Sequence, residues 1–325
     1  MSRRLQLVRW LKSSPARRKF WIALQTPRNA IARVRDAFVW IMARGLVALL
    51  RGLGPDRSSN LAGKLARGAG PWISATKTAR KNIALAFPEK SAAEVEDIVK
   101  GVWDNLGRVA GEFVHLEKMW DFDPERPTQG RIVFEPSTAK LYDRIRDDGK
   151  PAIIFSAHLA NWELPAIAAA AHGLETAVVY KAPTNPGFAE LVRETRTGAM
   201  AELINSGKQS VFTMAKVLEE GRHLGILVDQ HFTGGVEVTM FGRKCRATPL
   251  AARLARNFDC PVHGVRAIRL PDNRFKMDLT EEIQLPRDAE GKVDIAAATQ
   301  TITTVIEGWV REHPEQWLWL HRRWR

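Results

Sequence analysis

Two side chains with complementary acid–base chemistry lie five residues apart near the middle of the chain. His158 and Glu163 enclose the segment Leu-Ala-Asn-Trp and follow the apolar run AIIFSA, where the pattern predicts the end of a strand and the start of a helix. A histidine at a strand end can take the proton of an attacking hydroxyl, while a carboxylate one helical turn on fixes the tautomer and stabilises the imidazolium. By itself this spacing is more often that of a packed histidine followed by a helix-start glutamate. The surrounding sequence must therefore decide between the two.

Apolar runs and amphipathic stretches alternate around this pair. Helical patterns start near residues 162 and 187, and the segment TPLAARLARNF is helical as well. Strand-like runs start at residues 152, 177, 225, 236, 261 and 274. This alternation predicts an α/β fold with a mixed, largely parallel sheet flanked by helices, in which reactive residues collect at the carboxyl ends of the strands.

Short motifs on both sides of the pair share a common resemblance. They are ARKNIALAFPEKS at 79–91 with Gly107-Arg108 and Glu112, Val179-Tyr180-Lys181-x-Pro183-x-Asn185, Thr195-Arg196, Asp229-Gln230, Phe241-Gly242 with Thr248, and the ending from Pro314 to Arg323. Together they resemble the late lipid A acyltransferases, the lauroyl and myristoyl transferases of Gram-negative bacteria. That family lies within the wider His-x4-Asp/Glu glycerolipid acyltransferase superfamily, whose catalytic pair falls on His158 and Glu163.

The resemblance implies a complete reaction. The donor is an acyl carrier protein thioester, the acceptor is a hydroxyl of a Kdo-bearing lipid A precursor, and the site is the cytoplasmic face of the cell inner membrane. No cofactor is implied; the sequence contains neither a glycine-rich phosphate loop nor a cluster of metal ligands. Acyl transfer to another glycolipid, such as a phosphatidylinositol mannoside, is an alternative with the same chemistry.

Five further residues are candidates for substrate binding. Attack on a thioester develops negative charge on the carbonyl oxygen, and Arg196 is the candidate to stabilise it. Asp229 is expected to orient substrate hydroxyls or to pair with Arg196, unless it only caps the next turn, and Gln230 to hydrogen-bond the acceptor. Lys181 stands where relatives often carry arginine, which keeps the charge but loses the guanidinium fork. Asn161, inside the His158 segment, completes the set.

Positive charge is concentrated at the N-terminus. The chain of 325 residues has a net charge of +13, and residues 1–82 contain 18 Lys and Arg against Asp36 and Asp56. Such a segment attracts either nucleic acid or an anionic membrane. No recognised nucleic-acid motif accompanies it, so nucleic acid is not an expected partner, and a non-enzymatic binding protein is only a remote alternative.

An amphipathic pattern within this basic segment favours the membrane. Arg44 and Arg51 share a helix face with Trp40, opposite an aliphatic face. The aliphatic face comprises Phe38, Met42, Leu46, Leu49 and Leu53. This pattern is typical of a helix lying in the headgroup region, although a tilted span or a helix packed on its own domain also fits.

Two regions follow from these patterns. Residues 1–75 are predicted to be a basic membrane-association segment, and residues 76–325 an acyltransferase domain with a helical part, 76–120, and an α/β part, 130–325. At the C-terminus, WLWLHRRW alternates so that a strand would place Trp317, Trp319, His321 and Arg323 on one side. That side suits either an anionic lipid interface or packing against the domain.

Overall fold

The computed structural model describes residues 40, 42–200, 202–207 and 210–324. These residues form a short unit that ends at Leu49 and a larger unit that starts at Leu50. Among the described residues, no helix is both long and apolar enough to cross a bilayer.

The described part of the short unit is helical, as predicted. Residues 40 and 42–49 are helical, and the Arg44 guanidinium lies over the Trp40 ring, 5.1 Å from its centroid. Met42, Leu46 and Leu49 are exposed. Phe38 lies outside the described residues, and Arg51 belongs to the larger unit, where its Nε donates to the Val114 carbonyl at 3.2 Å. Membrane association by this helix stays a prediction.

A helical layer opens the larger unit. Its members are α1 (Pro55–Ala69), a 3-10 turn (Gly70–Trp72), α2 (Thr76–Ala86), α3 (Ala92–Phe113) and a second 3-10 turn (Leu116–Lys118). The start of α3 follows from a capping box, because the Glu94 amide donates to Ser91 Oγ at 3.3 Å and the Ser91 amide donates to Glu94 Oε2 at 2.8 Å. Ser91 is thus the N-cap of α3.

Two glycines one turn apart let α1 and α3 approach closely. A Cβ atom at Gly107 would lie 2.3 Å from the Ala62 carbonyl oxygen, and one at Gly111 would lie 2.5 Å from the Ser58 carbonyl oxygen. Only glycine fits at such distances. Residues 55–69, which the sequence grouped with the N-terminal segment, are thus packed onto the rest of the larger unit.

A seven-stranded sheet forms the centre. In chain order its strands are β1 (Ile132–Phe134), β2 (Ile153–Ser156), β3 (Thr176–Tyr180), β4 (Glu202–Asn205), β5 (His223–Leu227), β8 (Val262–Arg269) and β9 (Phe275–Leu279). The spatial order is β1-β9-β8-β2-β5-β3-β4, and each neighbouring pair is parallel except the antiparallel β8–β9. The predicted mixed, largely parallel α/β fold is confirmed.

Helices cover both faces of this sheet. They are α4 (Pro136–Asp147), α5 (Leu164–Ala171), α6 (Pro186–Thr197), α7 (Ser210–Glu219), α8 (Leu250–Phe258) and α9 (Ile295–Glu312). Two further strands, β6 (Val236–Met240) and β7 (Arg243–Ala247), form a separate antiparallel pair. Along β2, Ile153 and Phe155 join one buried cluster and Ile154 joins another. Burial on both faces explains why this strand is apolar at successive positions.

The strand predicted at the C-terminus was wrong, whereas packing against the domain, one of the two alternatives for this stretch, is what the structure shows. Residues 317–324 do not form a strand, since only Trp317 makes a bridge, to Leu159. Trp317, Trp319 and Arg323 are buried, and the Arg323 guanidinium donates to the carbonyl oxygens of Gln230 and Arg246. Because these carbonyls satisfy the arginine inside the fold, this aromatic stretch packs on the domain and does not face lipid.

Candidate active site

His158 lies at the carboxyl edge of the sheet, paired with Asp229. Ser156 of β2 is opposite Leu227 of the parallel strand β5, so continuing each chain by two residues places His158 beside Asp229. His158 Nδ1 is 2.8 Å from Asp229 Oδ1, and the His158 amide donates to Asp229 Oδ2 at 2.9 Å. The indole N–H of Trp317 donates to the same Oδ2 at 2.8 Å. A carboxylate can only accept, so the proton of the neutral ring lies on Nδ1 and Nε2 carries the lone pair.

The protonation of this pair follows from its surroundings. Burial by itself would lower the pKa of His158, but the Asp229 carboxylate, with a smaller contribution from Glu163, raises that pKa above its ordinary value. Burial opposes ionisation of Asp229 as well, yet the imidazole and the hydrogen bonds lower the pKa of Asp229 to about 2. Asp229 is therefore ionised at neutral pH.

Glu163 does not take the position predicted for it. It precedes α5, and its two oxygens accept from Arg196 Nε at 2.9 Å and Nη2 at 2.6 Å. The guanidinium also lies near the rings of Phe113 and Tyr180. The two predicted pairings are thus exchanged: Asp229, not Glu163, fixes the His158 tautomer, and Arg196 binds Glu163, not Asp229.

Asn161 was predicted to bind substrate, and this was wrong. Its side chain is fully buried, with 0 % exposure, and its amide nitrogen donates to Glu112 Oε2 at 2.9 Å. Its Oδ1 accepts from the Glu163 backbone amide at 3.1 Å. Both ends of the side chain are therefore engaged inside the protein, and Asn161 holds the segment between His158 and Glu163 in place.

Glu112, the partner of Asn161, belongs to a buried polar cluster. Glu112 of α3 is 1 % exposed, accepts from Ser59 Oγ at 2.6 Å and forms a two-pronged ion pair with Arg269, at 2.5 and 2.9 Å. Burial would raise the pKa of Glu112, but Arg269 and these hydrogen bonds hold that pKa below its ordinary value. The cluster joins the helical layer, the end of β8 and the segment from His158 to Glu163.

A strained residue within the loop is held from both sides. Ala160 has φ 44°, in the left-handed region that non-glycine residues rarely adopt. Its amide donates to the Gln316 carbonyl at 2.9 Å, and its carbonyl accepts from Asn105 Nδ2 at 3.1 Å. The left-handed conformation of Ala160 turns the chain sharply after His158, and the two hydrogen bonds hold it in this strained conformation.

A cavity of about 590 Å³ opens beside the imidazole. It lies between α5 and the sheet, and its inner wall is mostly apolar; among its lining residues are Ile154, Pro165, Ala166, Ala169, Val178 and Ile226. His158, Glu163, Arg196, Gln230 and Lys181 also line it. Of the two other predicted site residues, neither lines the cavity, but the buried Asp229 contacts His158 directly.

Gln230 and Lys181 are exposed where they line the cavity. Gln230 Nε2 is 3.4 Å from His158 Nε2, within reach of whatever hydroxyl approaches the base. Lys181 directly follows β3 and supplies positive charge there. Both positions are compatible with the predicted substrate contacts.

Sequence reasoning missed several residues that shape the site. Trp317 was predicted to lie on a strand that either faces lipid or packs against the domain, with no contact to the site, while Arg269 and Asn105 were not singled out. Ser156, two positions before His158 on the same strand face, was a detectable candidate, since it breaks an otherwise apolar run. No local pattern marks the other three, because their roles depend on contacts with distant segments.

A histidine base beside an apolar cavity at the edge of an α/β sheet is suited to moving an acyl group onto a hydroxyl. Residues 27–325 match the sequence profile of the family described as bacterial lipid A biosynthesis acyltransferase. The chain is also 25 % identical over 288 residues to lipid A biosynthesis acyltransferase 2 of Shigella flexneri, an alignment that covers 87 % of this chain and 88 % of that protein. The chain belongs to this family and is an acyltransferase.

Proposed function

We propose that this acyltransferase moves a fatty acyl chain from an acyl carrier protein thioester to a hydroxyl of a Kdo-bearing lipid A precursor, with His158 as general base. The observation that carries the proposal is the His158–Asp229 pair beside the apolar cavity. The family match supports the pathway, and the cavity suits an alkyl chain.

The chemistry follows from the hydrogen bonds of the imidazole. Neutral His158 accepts the acceptor's hydroxyl proton on Nε2, and the oxygen attacks the thioester carbonyl carbon to form a C–O bond. Asp229, 3 % exposed and ionised, stabilises the imidazolium without taking its proton. When the tetrahedral intermediate collapses, the C–S bond breaks and the departing thiolate takes the proton from Nε2.

Arg196 is the candidate to stabilise the negative charge on the carbonyl oxygen. The guanidinium lines the cavity and is oriented by two hydrogen bonds to Glu163, so it needs no reorganisation during the reaction. Glu163 thus acts through Arg196. Gln230 and Lys181 are left to contact the polar parts of the two substrates.

The reaction is proposed to take place at the cytoplasmic face of the inner membrane. The basic N-terminal segment supports attraction to anionic lipid, and the exposed Met42, Leu46 and Leu49 support insertion into the headgroup region. Acidic acyl carrier protein would be attracted by the same basic charge.

Transfer by the purified protein tests the proposal directly. Acyl carrier protein thioester and the Kdo-bearing precursor are mixed, and the product is measured by mass spectrometry. His158→Ala should reduce transfer by about 10²- to 10⁴-fold, because the general base is lost. His313→Ala is the matched control, since His313 lies beyond the end of α9 and does not line the cavity. Near wild-type transfer by His158→Ala would overturn the mechanism.

Lipid A from cells that lack the protein tests the acceptor. One acyl chain should be missing, and the mass difference reports the donor. An unchanged lipid A together with a change in another glycolipid would reject the lipid A precursor as acceptor.

A further inference from the structure

An exposed aromatic ring follows β5 where the cavity opens to solvent. Phe232 is 50 % exposed and lies two residues after Gln230, whose Nε2 is 3.4 Å from His158 Nε2. Two residues of extended chain span at most about 7 Å, so Phe232 lies close to the point where substrates enter. A single exposed ring needs no partner by itself, and its surroundings must decide whether it has one.

Hydrogen bonds fix the turn that carries this ring against β7. The Gly235 amide donates to the Phe232 carbonyl at 2.8 Å, and the Phe232 amide donates to the Arg246 carbonyl at 3.3 Å. Arg246 Nη1 donates in turn to the Gly235 carbonyl at 2.9 Å. A Cβ atom at Gly235 would lie 2.0 Å from the Ala247 carbonyl oxygen, so only glycine permits this close approach. The turn therefore presents an aromatic ring and a guanidinium with little freedom left to lose on binding.

Two more cations reach this turn through the C-terminal segment. The buried Arg323 guanidinium donates to the Arg246 carbonyl at 2.9 Å, so its exposed neighbour Arg322 lies near the turn. The carbonyl of the residue that precedes Arg322 accepts from Asn82 Nδ2 at 2.7 Å. This contact brings the next residue of α2, the exposed Lys81, alongside Arg322.

The surface formed in this way has uncompensated positive charge. It is called the Phe232 patch here and comprises Phe232, Lys81, Arg246 and Arg322. None of its three cations forms a salt bridge within the part of the chain that the structure describes. Glu237 lies opposite Arg246 in the β6–β7 pair, but its carboxylate binds Lys244 at 2.7 Å. Such a surface attracts an acidic partner.

The composition of the Phe232 patch favours a protein over a bilayer. Aromatic rings and arginines are enriched in protein–protein interfaces, where a few such side chains supply most of the binding energy. Insertion into a bilayer depends instead on several large apolar side chains together, and those exposed in the larger unit include Leu61, Leu65 and Trp72, outside the patch. Of the two proposed substrates, the acyl donor is the one that an acidic protein carries.

We propose that the Phe232 patch is the docking surface for the acyl carrier protein, in which its three cations bind acidic side chains of the carrier and the Phe232 ring packs against an apolar one. The inference rests on the proposed function, because it assigns a surface to the donor of that reaction. Docking at this patch places the carrier where the cavity opens, within reach of His158. The patch residues take no part in the chemistry.

Two donors with the same acyl chain test the docking surface. The purified full-length protein transfers dodecanoyl groups either from the acyl carrier protein thioester or from the pantetheine thioester, which lacks the carrier. Arg246→Glu with Arg322→Glu should raise KM for the carrier thioester about tenfold or more and change kcat less than about twofold, because two attractive contacts become repulsive. With the pantetheine thioester, kcat/KM should equal that of the wild type. An unchanged KM for the carrier thioester would overturn the docking surface.

Three further variants make this result specific. Arg246→Lys with Arg322→Lys keeps the charge and should retain most of the wild-type KM. Lys140→Glu with Lys150→Glu is the matched control, because both lysines are exposed and neither forms a salt bridge among the described residues. Lys140 lies on α4, and Lys150 lies three residues before β2, at the sheet edge opposite His158. If the double reversal at the patch melts too early to assay, Arg322→Glu alone should still raise KM for the carrier thioester severalfold.

Carrier binding without acceptor separates this inference from the proposed function. The fluorescence anisotropy of labelled carrier protein is measured with the wild type and with Arg246→Glu plus Arg322→Glu. If the wild type acylates the lipid A precursor but the double reversal keeps the wild-type KM and carrier affinity, the docking surface is overturned and the function stands. If no transfer to the precursor occurs, yet the wild type binds the carrier and the double reversal does not, the docking surface stands and the function fails.

Vesicle flotation separates the carrier from anionic lipid as the partner of the patch. Binding to phosphatidylglycerol vesicles should be equal in the double reversal at the patch and in Lys140→Glu with Lys150→Glu, since both change the net charge by the same amount. A loss of flotation confined to the patch variant, together with an unchanged KM for the carrier thioester, would assign the patch to lipid and overturn the proposal.

Discussion

Two buried carboxylates contact the segment from His158 to Glu163 at different residues, and their other partners differ in kind. Asp229 and Glu112 are 3 % and 1 % exposed, and each accepts several hydrogen bonds. Asp229 faces His158, a titratable imidazole that borders the cavity and whose pKa this carboxylate raises, whereas Glu112 faces Arg269, a guanidinium that keeps its proton. Burial alone does not distinguish a catalytic carboxylate from a structural one; the titration of its partner and the access of that partner to substrate do.

Replacing Asp229 by Asn should give the largest loss of activity. The amide can donate to Nδ1 and so favours the wrong tautomer, and we expect kcat to fall by about 10²- to 10⁴-fold in the acyl transfer assay. The melting temperature should change little, because the replacement has the same shape. An activity within tenfold of wild type would show that the His158–Asp229 pair does not carry the reaction.

The Asp229 change should also move the pH dependence. Only neutral His158 accepts a proton, so the wild-type rate should fall as the pH drops through the raised pKa of His158. Without the Asp229 charge that pKa is lower, so the acid limb of the residual rate should move to lower pH. A pH–rate profile of kcat/KM for both proteins measures this shift, and a move to higher pH would contradict it.

Replacing Glu112 by Gln should mainly affect stability. It leaves the buried Arg269 without its ion partner, which costs about 3–5 kcal/mol. We expect a lower urea midpoint. The pH–rate profile of the protein that remains folded should be unchanged. The combined replacement Glu112→Met with Arg269→Met should recover part of the stability. An altered pH–rate profile in Glu112→Gln would show that the two carboxylates are not separated as described.

A smaller effect on activity is expected for Glu163→Gln. Arg196 loses the charge that orients it, and a misplaced guanidinium should reduce kcat by about tenfold to a hundredfold. Glu163→Asp keeps the charge and serves as the control, with a smaller loss. A reduction as large as that of Asp229→Asn would instead support the sequence prediction, in which Glu163 is the carboxylate that assists His158.

The smallest effect should come from apolar residues exposed outside the site. Leu61 and Leu65 lie one turn apart on α1, and Trp72 in the following 3-10 turn is 89 % exposed. If this surface adds to membrane binding, Leu65→Ser with Trp72→Ser should weaken binding to phosphatidylethanolamine and phosphatidylglycerol vesicles severalfold in a flotation assay. Leu65→Met with Trp72→Phe should bind like the wild type, and equal binding by both double variants would exclude this surface.

The sequence predicted the site's elements better than its pairings. The apolar runs indicated β2, β3 and β5 because strands buried on both faces are apolar throughout. Glu163 was predicted to be the partner of His158 because it is five residues away, whereas Asp229 is 71 residues away in the sequence. Only the strand order, which inserts β5 between β2 and β3, brings Asp229 into contact.

Local pattern also failed where burial decides the role. Asn161 looked like a ligand contact because polar residues beside a catalytic histidine often are, but its buried partner Glu112 comes from α3. The tryptophans and arginines at the C-terminus fitted a lipid interface and packing against the domain equally well, and only the fold shows that Trp317 donates to Asp229 and Arg323 to backbone carbonyls. Side-chain type therefore predicted the chemistry available, and the tertiary contacts decided which residue uses it.

Titration of His158 tests the central claim most directly. The ring ¹⁵N shifts of His158 are followed by NMR against pH in the wild type, in Asp229→Asn and in Glu163→Gln. We predict that the wild-type pKa lies above the ordinary histidine value and that it falls more in Asp229→Asn than in Glu163→Gln, because Asp229 contacts Nδ1 and Glu163 acts from a distance. A larger fall in Glu163→Gln, or a neutral ring with its proton on Nε2 in the wild type, would contradict the assignment of Asp229 as the partner of the catalytic base.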